Sequence, residues 1–537
     1  MLSSWYGWQR TGFTSELEPP TPTSEVDTPE LEPTRRKASK PPRQCRLKAP
    51  CVRDCPAGID VPRYIGYLAL GKYAEAKAVV RERVPLPSIC AHVCYRPCEP
   101  DCRRIQMDAP VAINALKRAA VAYGRSMERQ CSSDTVAPDT GKRVAIVGSG
   151  PGGLTAAYYL GKRCGHQVTV FESQPDAGGQ LRIGIPAYRL PREALEEEIA
   201  VIAETRVEFR TSAPVQDLSE LLRQGYDAAL IAIGAMRHRS LGITGEELPG
   251  VLDCVGFLQV VNYGERVRVG RRVAVIGGGN VAMDGARTAR RLGAREVRIL
   301  YRRTRREMPA YDFEAWAAQE EGVGMDFLVS PRAIARHGEG LRLNLIRMEL
   351  GEPDESGRRR PVPVPDSDFT IDVDTVLVAI GQEPTIPSSW GLALNRDGSI
   401  QVDPETLETC RPGLFACGDV ITGPANVIEA IAGGRQAAQA IDLHLGGDGD
   451  ITERWAPEQG QEMVYPEGLY PPGISPFPHR KLPYDQRVTT FEEVEHGLTP
   501  EDAVNEALRC IRCDLWRLQG VPSVWPKKCA VPGVEAD

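Results

Sequence analysis

The chain has 537 residues, of which 42% are apolar, enough for several domains with sizeable cores. A formal net charge of -7 offers no basic surface suited to nucleic acid, which excludes that partner class. No run approaches the roughly 20 apolar residues of a membrane helix, and the opening MLSSWYGWQRTGF lacks the apolar centre of a secretory signal. A cytoplasmic location without a membrane span is expected.

Residues 1–44 are rich in Pro, Glu, Ser and Thr without apolar periodicity and read as a disordered arm, in which Trp5, Tyr6 and Trp8 could dock on a partner. Over 45–135, cysteine loops alternate with helical stretches: the spacing predicts a helical pair over Val61–Val84, broken near Gly71, and another helix over Val111–Tyr123. Of 15 cysteines, seven fall between Cys45 and Cys102, and two more stand at Cys510 and Cys513. In a reducing compartment such clustering points to metal or redox chemistry rather than a disulfide framework. Cys131, Cys164, Cys254, Cys410 and Cys417 read instead as scattered buried thiols.

Residues 140–445 change character. Two βαβ patterns predict an α/β fold with two dinucleotide-binding, Rossmann-like domains of parallel sheet. The first fingerprint, Gly148-Ser149-Gly150-Pro151-Gly152-Gly153, follows the strand Val144–Val147. Gly148 permits the turn, Gly150 lets a pyrophosphate approach, and Gly153 lets helix and strand pack. Glu172, ending the next strand, is placed to bind ribose hydroxyls and would repel a 2′-phosphate, so FAD or NAD fits. The second fingerprint, Gly277-Gly278-Gly279-Asn280-Val281-Ala282, is followed by a strand ending in Tyr301-Arg302-Arg303, with Arg305 and Arg306 close behind. Guanidinium groups in place of the acid argue for NADPH over NADH, against the alternative of a solvated basic stretch. The last stretch, 446–537, is a proline-rich tail with a helix expected at Thr499–Arg512, capped by Thr499 with Pro500 first.

A third motif, Gly413 to Val420 (GLFACGDV), is similar to the closing motif of flavin reductases with two dinucleotide domains. By that resemblance Asp419, with Gly418, holds the FAD ribityl chain. Ala228–Ala235 and Thr375–Gly381 resemble the strands that cross between the domains. The resemblance thus places FAD in a split domain, 140–250 and 376–445, and the nucleotide in a domain inserted at 251–375. No CxxC pair is available to stand beside the flavin, so electrons are expected to leave by another route.

Cys51-x3-Cys55-Pro56 and Cys90-x3-Cys94-x3-Cys98-x3-Cys102 suit iron–sulfur clusters, with zinc as the competing reading. Joined to both fingerprints and to YRRTRREMPA, the run PCVRDCPAGIDVPRYIGYLALGKYAEA…VCYRPCEPDCRR…APVAINALKR resembles the glutamate synthase small-subunit family. That family includes the NADPH-dependent flavin reductase modules of dihydropyrimidine dehydrogenases and of electron-bifurcating complexes. The resemblance implies an all-α domain with two [4Fe-4S] clusters ahead of the nucleotide domains. The family's opening Cys-x-x-Cys pair is missing, and Arg509-Cys510-Ile511-Arg512-Cys513 stands in for it at the far end. A C-terminal helix folding back is expected to complete the site with both thiols on one face, although an exchangeable dithiol or a cluster shared with a partner remain alternatives.

By the family pattern one cluster takes Cys51, Cys102, Cys510 and Cys513, and the other Cys55, Cys94 and Cys98. The position that relatives fill with Gln or Glu is Lys117, a poor ligand, which leaves Cys90 or Cys45 as the fourth. Gly179, Gln180, Ile185, Pro186 and Arg189 match the family's flavin-side loop, with Ile428 also assigned to FAD and Gly381 to the nucleotide. The implied activity is NADPH oxidation through FAD and two [4Fe-4S] clusters into a larger redox subunit. A glutamate synthase small subunit and a free-standing NAD(P)H:ferredoxin-type reductase are the alternatives, and a scaffold with degenerate sites is a third.

Overall fold

The computed structural model describes residues 49–124, 136–354, 357–456, 476–477 and 479–514. The expected arm at 1–44, Cys45 and Cys131 lie outside the described residues. Among the described residues no helix is long and apolar enough to cross a membrane.

The strands in chain order begin with β1 (Arg143–Val147), β2 (Gln167–Phe171), β3 (Val207–Arg210), β4 (Ala228–Ile231) and the short β5 (Arg237–His238). β6 (Val251–Asp253), β7 (Arg272–Ile276), β8 (Glu296–Tyr301) and β9 (Gly324–Phe327) follow. Then come β10 (Val329–His337), β11 (Gly340–Pro353), β12 (Arg359–Val373), β13 (Thr375–Val378), β14 (Gln382–Glu383) and β15 (Leu414–Ala416). The first sheet runs β15-β4-β1-β2-β3 and the second β6-β13-β7-β8-β9, every pairing parallel. In each, the strand before a glycine fingerprint is central and apolar on both faces, as a sheet covered by helices requires.

The second domain interrupts the first between β4 and β15. The crossing segments are the antiparallel pair β5 and β14, with Gln382 opposite His238. Ala228–Ala235 and Thr375–Gly381, expected as crossing strands, instead supply β4 and β13, each next to the central strand of its own sheet. A three-stranded antiparallel sheet, β10-β11-β12, extends the second domain and buries Leu341, Leu343 and Leu345 against Ala274, Ile276 and Leu300.

Ahead of these lies an all-helical unit: Val61–Ala69, Tyr73–Arg81, Pro87–Val93 and Ile113–Tyr123. The Asp60 side chain caps the first by accepting from Arg63 N, and Gly71, at φ +69°, breaks the pair. Its core is continuous with that of the first sheet, joining Leu68, Val79 and Leu116 to Ile146, Leu154 and Tyr159. Each fully buried Leu or Ile contributes roughly 1.5–3 kcal/mol, so this apolar seam, more than any surface ion pair, holds the two units together.

The C-terminal segment returns to the helical unit. Its helix spans Pro500–Ala507, capped by Thr499 Oγ1 accepting from Asp502 N, and packs on Val61–Ala69 and Ile113–Tyr123. It stops well short of the expected Arg512. Arg509 aims its guanidinium at Asp108, Ala109 O, Pro110 O and Glu506, its own carbonyl accepts from Arg104, and Arg512 adopts a left-handed φ of 46°. Those bonds draw the chain off the helical path, so Cys510 and Cys513 sit on a turn rather than on one helix face.

Candidate functional site: two nucleotide cradles and two thiol sets

The two fingerprints build the same cradle twice. At Gly148 (φ +103°) a Cβ would fall 2.4 Å from Ala232 O, and at Gly277 (φ +145°) it would fall 2.1 Å from Ala379 O. Each of these carbonyls belongs to the residue just past β4 or β13, so the first glycine lets the turn abut the neighbouring strand. At Gly150 and Gly279 a Cβ would meet nothing within 4 Å, which leaves the space a pyrophosphate fills. Each of these glycines opens a helix, Pro151–Lys162 and Asn280–Arg291, without a side-chain cap. First-turn N–H groups that no side chain caps suit an anion. At Gly153 a Cβ would strike Gly148 O at 2.1 Å, whereas the second cradle carries the buried Ala282 there.

Around the first cradle, Glu172 is buried at the end of β2 and accepts from Ser149 N at 3.1 Å, Ser149 Oγ and Gln174 N at 2.8 Å. Gly179 (φ +52°) closes on Gly150, and Gln180 Nε2 lies 3.2 Å from Met236 Sδ. Ile185 is part-buried and Ile428 buried on the helix Val427–His444, whose start carries an Asn426–Glu429 capping box. Gly418 (φ +76°) presents Asp419, whose carboxylate accepts from Ala425 N at 3.2 Å; burial pushes it up to about 6. Arg189 differs from expectation. Its guanidinium pairs with Asp284 at 2.6 Å and with Glu314, both in the second domain, so it ties the domains together instead of facing the flavin cradle.

In the second cradle Asn280 Oδ1 accepts from Tyr311 N at 3.0 Å, and Val281 O accepts from the Cys254 thiol at 3.4 Å. Gly381 (φ +121°) is exposed beyond β13. The two arginines after β8 part company. Arg302 is exposed, while Arg303 is buried and donates to Asp354 and to Arg359 O at 2.8 Å. Both border a cavity of about 750 Å³ whose far wall, from the β11–β12 hairpin, carries Asp354, Arg358 and Arg360.

The thiols fall into two sets. Cys51, on the short helix Pro50–Arg53, is faced by Cys510, Cys513, Cys98 and Cys102, and Cys513 also faces Cys102. Cys55 faces Cys94, Cys90 hydrogen bonds with Cys94, and Cys98 faces Cys94 and Cys55. Burial pushes up the thiols of Cys51, Cys55, Cys98, Cys102 and Cys510, and takes Cys513 up to about 12. Thiols raised in this way ionise when a metal takes the place of their protons, which fits a metal-holding site. Tetrahedral zinc with Zn–S of about 2.3 Å brings sulfurs to roughly 3.8 Å. Among the described residues the one trio of possible ligands within 4.8 Å is Cys164–His166–Asp442, so the two thiol sets are spread more widely, as a larger cluster needs. In that trio both His166 nitrogens are already bonded, to Thr140 and Asp442.

Lys117 is buried and places Nζ 3.1 Å from Cys90 Sγ. Burial would lower it, but Cys90, Cys94 and Cys98 outweigh burial and hold it raised, as an ammonium. An ammonium has no lone pair to give iron, and the thiol that stands with Cys55, Cys94 and Cys98 is Cys90.

Three elements meet beside the cradles. Tyr95, next to Cys94, donates to Glu429 Oε1 at 3.0 Å, and its ring stacks on Tyr311 with centroids 5.3 Å apart. Tyr311 donates to Asn426 and stacks on Phe313, over which Arg96 lies at 4.3 Å. Sequence reasoning passed over this junction. The aromatic residues directly after the YRRTRREMPA motif, and Tyr95 directly after Cys94, were its available signals.

Two glycine cradles and two thiol sets in one chain define a flavin- and nicotinamide-dependent oxidoreductase with iron–sulfur centres. The chain belongs to the pyridine nucleotide-disulphide oxidoreductase family, whose model matches residues 142–434, and residues 25–129 match dihydropyrimidine dehydrogenase domain II, 4Fe-4S cluster. Its cofactors are accordingly FAD, a nicotinamide nucleotide and [4Fe-4S] iron. It is 41% identical to the NADP(+)-dependent formate dehydrogenase subunit beta of Moorella thermoacetica, over 87% of this chain and 71% of that one. The NADPH-Fe(3+) oxidoreductase subunit beta of Geobacter sulfurreducens is 36% identical over 87% of this chain and 75% of its own. The glutamate synthase [NADPH] small chain of Halomonas elongata is 34% identical over 73% and 87%.

Proposed function

We propose that this chain is the electron-input subunit of a larger redox complex, oxidising NADPH with FAD in the first cradle and passing electrons through two [4Fe-4S] clusters to a partner subunit. When bound, FAD supplies acceptance of a hydride and release of electrons one at a time. The chain's residues supply the rest. Gly150 and Gly279 leave room for the two pyrophosphates, Glu172 fixes the ribose of FAD, Asp419 its ribityl chain, and Arg302 favours a 2′-phosphate.

The observation that carries the reading is the Tyr95–Glu429 bond: the loop bearing Cys94 touches the helix that follows Gly418-Asp419. It favours Cys55, Cys90, Cys94 and Cys98 as ligands of the cluster nearer the flavin. Cys51, Cys102, Cys510 and Cys513 then hold the farther one, beside the exposed Asp101 and Ile105, where a partner would dock. The relatives named as beta subunits support a partner.

Anaerobic purification and mixing with NADPH test the reading. Expected are FAD, about eight irons per chain, and bleaching of the flavin band followed by cluster reduction, with NADH much slower. A yellow protein without iron or acid-labile sulfide would overturn it.

A further inference from the structure

Lys117 is a buried ammonium that the proposed chemistry leaves without a task, and it lies against a thiol set. It projects from the helix Ile113–Tyr123 into the thiol set of Cys55, Cys90, Cys94 and Cys98, and its Nζ donates to Cys90 Sγ at 3.1 Å. A lysine is almost never fully buried unless its charge is paired, and here the group it bonds is the Cys90 sulfur. Glu99, a carboxylate that feels the Lys117 charge, accepts from Asn114 N at 2.9 Å.

A [4Fe-4S] cluster on four thiolates is an anion, and reduction adds one electron and one further negative charge. Net charge and hydrogen bonds to the sulfurs are among the levers that set such potentials. A fixed cation at a ligand sulfur favours the reduced form over the oxidised one, and the favour is large where water is excluded. No bond to iron is needed for this, so Lys117 acts through Cys90 and not as a ligand.

We propose that Lys117 is a positioning residue that raises the reduction potential of the cluster held by Cys55, Cys90, Cys94 and Cys98 through its charge and its hydrogen bond to Cys90. The assignment rests on the two-cluster reading of the thiol sets. It gives the flavin-proximal centre a higher potential than four thiolates would set unaided, so that an electron released by the flavin is captured rather than returned.

The test is a redox titration of the whole protein, followed by the electron paramagnetic resonance of each reduced cluster. In Lys117→Met the reduction equilibrium of one cluster should fall at least tenfold, about 59 mV for a one-electron couple. The other cluster should not move, and Lys117→Arg should stay within about threefold of wild type. An unchanged midpoint in a fully loaded Met variant overturns the proposal and leaves the functional reading intact. Wild-type protein without iron overturns that reading instead. Should the Met variant fail to load, Lys117→Leu takes its place. Loss of that cluster's iron in both neutral variants would make Lys117 a requirement of assembly and overturn the tuning role.

Discussion

Burial lifts the Asp419 carboxyl to about 6, even though it accepts a backbone hydrogen bond from Ala425 N. The two protonation states differ in what they offer a flavin. The carboxylate accepts from a ribityl hydroxyl, and the neutral acid does so poorly. Above about 6 the acceptor is already present and FAD affinity should be flat with pH. Below it a proton must leave on binding, so affinity should fall by up to about tenfold per pH unit. The apoprotein runs the other way, since a raised acid contributes stability below its unfolded value that is lost as pH rises through about 6. Asp419→Asn should flatten both slopes, measured as FAD dissociation and as apoprotein melting between pH 5 and 8. A wild-type FAD affinity that stays flat to pH 5 would remove Asp419 from the ribityl site. Motif position could nominate Arg302 and Arg303 together, but only packing reveals that Arg303 is buried against Asp354. Arg189 sits in a flavin-side loop, yet Asp284 and Glu314, remote in sequence, capture it.

The β11–β12 hairpin is the element that sequence reasoning did not foresee. β12 contains Pro361, Pro363 and Pro365, which argue against a central strand; they are tolerated because β12 is an edge, bonded only to β11. The glycine-bounded strands β1 and β7 were legible, because a fully buried parallel strand must be continuously apolar. The hairpin was not, because half of each strand faces water and its pattern mixes arginines with aliphatics. Its far end brings Arg358 and Arg360 to the cavity bordered by Arg302. If that cavity receives the 2′-phosphate, the double change Arg358→Ala, Arg360→Ala removes charge-assisted contacts worth about 1.5–3 kcal/mol each. KM for NADPH should then rise at least tenfold with kcat nearly unchanged, while KM for NADH stays put. Equal losses with both nucleotides would assign the hairpin a structural role only.

At the scale of the whole molecule, the chain closes on itself and brings Cys510 and Cys513 to face Cys51, more than 400 residues earlier. Motif position nominated Cys510 and Cys513 as a displaced pair, but spacing could not say how it is presented. The answer lies in buried charges. Arg509 and Glu506 are each at most 2% exposed and pair at 2.7 Å. Arg509 reaches Asp108 at 3.0 Å, and Glu506 accepts from Ala112 N at 2.7 Å and Phe477 N at 3.1 Å. Removing one partner from such a set costs about 3–5 kcal/mol, because the other charges stay buried without it. That is far more than a turn bearing two thiols can recover by local bonding, so Arg509→Ala should release the C-terminal segment. Among the described residues Arg509 bonds Arg104, Asp108, Ala109, Pro110 and Glu506, all outside the nucleotide domains, which should be untouched. NADPH should still bleach the flavin and reduce the cluster of Cys55, Cys90, Cys94 and Cys98, while iron falls to about half and the second cluster's resonance disappears. Electron delivery to the native partner should fail with it. Full iron in the Arg509→Ala protein, with both resonances present, would mean that the farther cluster does not depend on the returning segment and that Cys51 and Cys102 find their remaining ligands elsewhere.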